Sequence, residues 1–217
     1  MLNKTNIRTL LTKIGPDSCP NKVNLHCHTT CSDGSLSPEL LIKQAASNKL
    51  EHLAVTDHNT VSAYPLMQKW IAQNKCYYKL LPNLWTGIEI NALLKKTLVH
   101  IIGLDFDISH QSMKPYIKGV STSGDLLKAE SGISAIHNAG GLAILAHPAR
   151  YRLSYRVLLV EAIKLGIDGA EAWYDYDYNS IWKPTRFICS SVDKLMKDNS
   201  LLSTCGTDTH GFDLRKR

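Results

Sequence analysis

Residues 22–34 read KVNLHCHTTCSDG, and the fold follows from how this stretch is placed. An apolar-alternating run ends in His26-Cys27-His28, with Asp33 five residues beyond. Side chains on an extended segment alternate with period two. His26 and His28 therefore share one side, and Cys27 points away toward a helical layer. Ser37-Pro38 then offers an N-cap followed by proline at the first helical position, predicting a helix over 38–48. Strand, polar end and helix form one unit, and the unit recurs along the chain.

Strands are expected at 22–27, 52–56, 84–90, 98–104, 142–146, 169–173 and 201–206. Helices are expected at 60–74, 126–138, 155–165 and 185–198, where apolar residues recur at helical spacing. The segment 105–124 reads as loop. Alternating strands and helices predict an α/β fold with parallel strands joined by helical crossovers. Periodicity leaves open whether the sheet is doubly wound or closed into a small barrel.

Five of these strands run into histidine or acid. The sequences are His26-Cys27-His28, Asp57-His58, Gly87-Ile88-Glu89, His147-Pro148 and Asp208-Thr209-His210; a sixth strand carries His100 internally. Ligands of parallel α/β folds bind at the carboxyl ends of strands. Residues 26 to 210 should therefore converge on one face. Six histidines with Asp33, Glu89 and Asp208 exceed the three or four protein ligands of one zinc. They suit two or three divalent ions sharing a bridge, and mixed imidazole and carboxylate donors suit Zn, Mn or Fe. A single histidine at a strand end is more often a hydrogen-bonded loop residue, and that plainer reading is kept for His52, His110 and His137.

Composition sets the outer bounds. The chain has 217 residues, 44% hydrophobic and 20% charged, as expected of a globular domain with a real core. Glycine has no period, which excludes a collagen-like chain. No run approaches the ~20 apolar residues of a membrane span. Residues 1–20 lack the apolar core of a signal peptide, so a cytoplasmic location is expected. The net charge of +6 favours anionic ligands. The basic run Arg215-Lys216-Arg217 reads as a solvated tail. Six cysteines without a CxxC pair read as reduced thiols.

The motifs LHCHTTCSDG, AVTDHNT, LAHPARY and GTDTHG, with TGIEI and VHIIG between them, resemble the polymerase and histidinol phosphatase (PHP) family over residues 23–212. Its stand-alone phosphoesterases, which remove phosphate from nucleoside bisphosphates or shorten RNA from the 5′ end, are the most similar branch. The resemblance implies a distorted seven-stranded (β/α)7 TIM-like barrel over 21–217, behind a helical extension over 1–20. It implies a trinuclear centre. His26, His28, Glu89 and Asp208 would hold one ion, Glu89, His100 and His147 a second, and Asp33, His58 and His210 a third. Glu89, His147 and Asp208 would then be catalytic.

Arg150 is expected to grip phosphate and Asp57 to orient a ligand imidazole. Residues 174–178, YDYDY, would lie on the metal face, either as a stacking loop or as an ordinary tyrosine-rich one. Only 46 residues separate His100 from His147, too few for the helical subdomain that relatives insert there. The expected activity is hydrolysis of a small phosphorylated substrate or an oligonucleotide end by a metal-activated hydroxide. A small-metabolite phosphatase of the histidinol-phosphatase type and a non-catalytic metal-binding module are the alternatives. No membrane and no stable protein partner is expected.

Overall fold

The computed structural model describes residues 6–217. Its strands are β1 (Val23–Asn24), β2 (His52–Ala54), β3 (Asn83–Trp85), β4 (Gly87–Leu94), β5 (Thr97–Leu104), β6 (Leu142–Leu145), β7 (Gly169–Trp173) and β8 (Leu202–Cys205). Its helices are α1 (Ile7–Leu11), α2 (Pro38–Ser47), α3 (Ala63–Asn74), α4 (Ala129–Asn138), α5 (Tyr155–Lys164) and α6 (Arg186–Asp198). Ser37 caps α2 as expected, its hydroxyl accepting from the Leu40 N–H. Of the helical extension expected over 1–20, α1 is what forms; residues 1–5 lie outside the described residues.

The strands form two sheets, β1-β2-β3 and β4-β5-β6-β7-β8. Single bridges join them at both seams, Cys27 to Thr209 and His58 to Glu89. All pairs are parallel except β4–β5 and β5–β6, which are antiparallel. The architecture is thus mixed α/β, with β5 antiparallel to both its neighbours where parallel strands were expected.

Two differences from the expected elements have local causes. The run 84–90 is two strands, not one. Thr86 leaves the ladder, its hydroxyl donating to the Phe106 carbonyl at 2.8 Å. Gly87 follows it, and a Cβ there would lie 2.5 Å from the Val55 carbonyl oxygen. Only glycine lets β4 approach the end of β2 this closely. The hairpin turns on Lys95 and Lys96, both left-handed with φ of 48° and 64°. Its two-residue loop suits the strand twist, although Asn-Gly is the usual sequence for it.

The apolar groups separate accordingly. A large core runs through the five-stranded sheet with α1, α4, α5 and α6. A smaller one packs α2 and α3 on the three-stranded sheet and includes Cys27, which does point away from its flanking histidines. Among the described residues no helix is long and apolar enough to cross a membrane.

Candidate metal centre

The extended run after β1 carries His26 and His28, both buried. Their Nε2 atoms are 3.2 Å apart. Each also lies 3.2 Å from Glu89 Oε2 and 3.2 Å from Asp208 Oδ1. Donors at the corners of a tetrahedron around a zinc ion, with bonds of ~2.0 Å, are separated by about 3.3 Å. These four residues therefore fit one ion closely. They are the set expected for the first metal, and β1, β4 and the turn after β8 deliver them. Gly206 makes that turn approachable, since a Cβ there would sit 2.2 Å from the His26 Cβ.

Glu89 faces two ways. Its Oε2 meets His26, His28 and, at 3.5 Å, His58. Its Oε1 meets His100 Nδ1 at 2.9 Å and His147 Nε2 at 3.2 Å. The hairpin register explains the His100 contact. Glu89 pairs with Ile102 and Asn91 with His100, so Glu89 and His100 are diagonal neighbours on one face. The donor atoms of His58, Glu89 and His100 fall within 4.8 Å of one another. His147, expected in that second set, reaches Glu89 but is not gathered into the group. The third set, Asp33, His58 and His210, comes together with His28 added.

Burial grades across the centre. Glu89, His26, His28, His147 and Asp208 are buried, whereas the side chains of His58, His210 and Asp33 are 23%, 38% and 54% exposed. The mouth of the site is therefore the Asp33–His210 edge. On the His58 side, the loop 105–124 closes in, the Gly119 N–H donating to the Asn59 carbonyl at 2.7 Å.

Burial alone would protonate the carboxylates, yet neighbouring imidazoles hold both Glu89 and Asp208 well below the ordinary range. Burial would likewise strip the imidazoles. Glu171, Glu89 and Asp208 outweigh it at His26, which is pushed well up, and hydrogen bonds to Asp208 and Glu89 take His28 to about 9. At His58 and His147 burial wins and the pKa falls. Nδ1 of His28, His58 and His147 is buried without a hydrogen-bond partner. Two anionic carboxylates among imidazoles with unused nitrogens are donors suited to cations.

Glu171 on β7 escaped the sequence reading. It is fully buried; both its oxygens lie 3.1 Å from His26 Nδ1, and Oε2 accepts the His147 backbone N–H at 2.9 Å. It thereby turns His26 Nε2 toward the centre. A carboxylate in the wholly buried strand GAEAW was the available signal, because a buried charge must have partners.

Asp57 does not orient an imidazole. Its carboxylate accepts from the Thr29 N–H at 2.7 Å, the Thr29 hydroxyl at 2.6 Å and the Ser32 hydroxyl at 2.7 Å, pinning the loop that presents Asp33. Arg150 spends Nη1 on Asp208 Oδ2 at 2.9 Å, and its side chain remains 35% exposed. Tyr174 is a buried donor to the same oxygen at 2.6 Å, not a stacking residue. Of the three tyrosines in YDYDY, Tyr178 alone is exposed. The tail is not wholly solvated either. Arg217 lies 4.0 Å over the Tyr178 ring, and its Nε is 3.5 Å from Asp208 Oδ2. His52, His110 and His137 stay outside the centre, bonded to Trp85, Ser112 and Asp168.

His147 and Asp208 both have left-handed backbone, φ 27° and 53°. Non-glycine residues hold such conformations at a cost of order 1–3 kcal/mol, and functional sites are where they collect.

The chain is similar to several known proteins. The 5′-3′ exoribonuclease Rnm of Salmonella typhimurium is 28% identical over 203 residues, covering 62% of this chain and 68% of that protein. The 3′,5′-nucleoside bisphosphate phosphatase of Chromobacterium violaceum is 28% identical over 118 residues, 54% of this chain and 39% of that one. A solved structure described as an amidohydrolase from Chromobacterium violaceum, with bound sulfate, superposes with a TM-score of 0.74 over 89% of this chain and 90% of that one, at 18% identity. The PHP domain model matches residues 24–162, and with most of the chain inside that match the protein belongs to the PHP domain family.

Proposed function

We propose that the protein is a metal-dependent phosphoesterase acting on nucleotides or short oligonucleotides. The observation that carries this reading is Glu89, whose two oxygens face two separate groups of imidazoles. One carboxylate in that position can hold two cations a few ångströms apart. Two or three divalent ions, Mn, Zn or Fe, would be held by His26, His28, Asp33, His58, Glu89, His100, His147, Asp208 and His210. Such ions, when bound, would supply Lewis acidity toward water and toward the phosphoryl oxygens.

The chain's own groups do the rest. Glu171 fixes the face of His26, and Tyr174 and Arg150 hold Asp208 Oδ2 so that Oδ1 stays on the metal side. The exposed part of the Arg150 guanidinium is available to a phosphoryl oxygen at the mouth. The relatives named above act on RNA and on a nucleoside bisphosphate, and the net charge of +6 suits anionic substrates. We read residues 21–217 as the catalytic domain and, counting β3 and β4 as one, its strands as a distorted seven-stranded barrel; a cytoplasmic location suits this substrate class.

The test is phosphate release from a nucleoside 3′,5′-bisphosphate and a short 5′-phosphorylated RNA, with Mn added, for the natural chain and Glu89→Gln. Release that depends on metal and on Glu89 is the expected result. A protein that takes up metal and releases phosphate from neither substrate would overturn the reading.

A further inference from the structure

Asp208 gives its two oxygens to different partners. Oδ1 lies 3.2 Å from Nε2 of both His26 and His28, on the side of the first candidate ion. Oδ2 faces away from that side and accepts from the Tyr174 hydroxyl at 2.6 Å and from Arg150 Nη1 at 2.9 Å. A carboxylate offers about two lone-pair sites on each oxygen, so these two donors fill Oδ2. A third donor nevertheless stands beside it. Arg217 Nε is 3.5 Å from the same oxygen, beyond ordinary hydrogen-bond length.

Arg217 is tucked in, not loose. Its side chain is 12% exposed, against 57% for Arg215. Its guanidinium carbon lies 4.0 Å from the ring centre of Tyr178 and 5.0 Å from that of Tyr174, faces that attract a cation. Its Nη1 is buried without a hydrogen-bond partner, a cost that only a new acceptor would recover. Arg150 differs on each point. It is bonded to Asp208, its side chain is 35% exposed, and its backbone N–H donates to the carbonyl of His147, itself beside Glu89, at 3.0 Å. One guanidinium is engaged and reaches water; the other is buried and idle.

We infer that Arg217 is a positioning residue that takes over Asp208 Oδ2 when Arg150 turns to a phosphoryl oxygen. Removing a charged partner from a buried carboxylate is costly, so without a replacement Arg150 would be tied to Asp208. With Arg217 beside it, one charge-assisted hydrogen bond is exchanged for another, and the Arg150 fork becomes free for the anion. Tyr174 stays in place throughout, so Oδ1 keeps its face toward the ion. The inference rests on the proposed contact of Arg150 with phosphate for its anion arm only.

The experiment is a double-variant cycle on Arg150→Met and Arg217→Met, since methionine still packs on tyrosine rings but donates no hydrogen bond. Calorimetry with inorganic phosphate, at saturating Mn, reads the anion arm. Arg217→Met should weaken phosphate binding about tenfold in the natural chain, the worth of one charge-assisted hydrogen bond, and by less than about twofold when Arg150 is already methionine. Competition with a chelating dye reads Mn affinity. Each single variant should stay within about threefold of the natural chain, because the other guanidinium serves Asp208, and the double variant should fall by about 10–100-fold. Arg150→Met/Arg217→Lys, which keeps the charge, should recover most of that loss. An equal weakening of phosphate in both backgrounds would mean a plain loss of positive charge and would overturn the exchange. So would a single variant that loses as much Mn affinity as the double, or a lysine that recovers none. Absence of phosphate binding by the natural chain would instead count against the phosphoesterase reading, and the Mn arm would still decide the exchange at Asp208.

Discussion

Histidine meets carboxylate at two places in this molecule, and the two differ in a way that distinguishes a metal centre from a structural pair. At one, Asp168 accepts from Arg8 at 2.7 Å, from His137 Nε2 at 2.7 Å and from the Ala143 N–H at 2.9 Å. Every acceptor there has a donor, and His137 is partly in water. At the other, imidazole nitrogens face one another at 3.2 Å, while Nδ1 of His28, His58 and His147 is buried and unpartnered. A buried polar atom without a partner costs about 1–3 kcal/mol. The first cluster is complete as protein. The second is over-supplied with donor atoms pointing at common centres, as a cation requires.

The sharpest way to break this contrast is at Glu89. Glu89→Ala should remove metal from the first and second sets together and lower kcat/KM by more than about 100-fold, since even outer partners of ligands cost 10–100-fold. Elemental analysis alongside kinetics checks it; activity within tenfold of the natural chain would erase the distinction. Glu171→Gln should act less strongly, lowering metal affinity by about 10–100-fold by loosening His26 and the His147 backbone. Competition with a chelating dye measures this, and unchanged affinity would make Glu171 a merely structural carboxylate.

Metal should also matter to stability at the second cluster alone. At a hundredfold excess over Kd, ligation adds about 2.7 kcal/mol. For a chain of this size that is a rise in Tm of about 5–10 °C, lost on chelation. Proton linkage sets the sign of the pH effect. His28 keeps its proton to about 9 in the metal-free centre, and an ion takes only the neutral imidazole. Apparent affinity should therefore rise with pH up to about 9, with proton release visible by calorimetry in buffers of different ionisation enthalpy. Affinity that falls over this range would contradict it. The smallest effect is expected at the complete cluster: His137→Ala should cost less than about 1 kcal/mol and leave metal content as it was, read by denaturation and elemental analysis.

The difference between the clusters also explains what the sequence made legible. Ligands were readable because histidine and acid stand at the ends of apolar runs, where parallel strands place them on one face. His26, His28, Glu89 and Asp208 do come together, delivered from the ends of β1 and β8, which a bridge joins, and from β4 across the site. The grouping was less legible for His147, because its left-handed turn sets the direction of the side chain by backbone angle, not by spacing. The β4–β5 hairpin was hidden because Lys95-Lys96 lacks the glycine or asparagine that announces such turns. The orienting role expected of Asp57 falls to Glu171 for a similar reason. Adjacency to His58 suggested an orienting carboxylate, whereas the one that orients a ligand comes from β7, far along the chain and next to no histidine in sequence.

The donors of the first set come from residues 26, 28, 89 and 208, so residues more than 180 positions apart meet at one candidate ion site. Contacts of such long sequence separation are made late in folding. During synthesis, domains take shape as the chain emerges. A nascent chain that has reached β7 has seven of the nine candidate ligands but no Asp208, and the tetrahedral set cannot close. Ion capture is thereby tied to completion of β8 and the turn after it. A polypeptide released before β8 would hold scattered histidines and would lack the four-residue set at which an ion could bind.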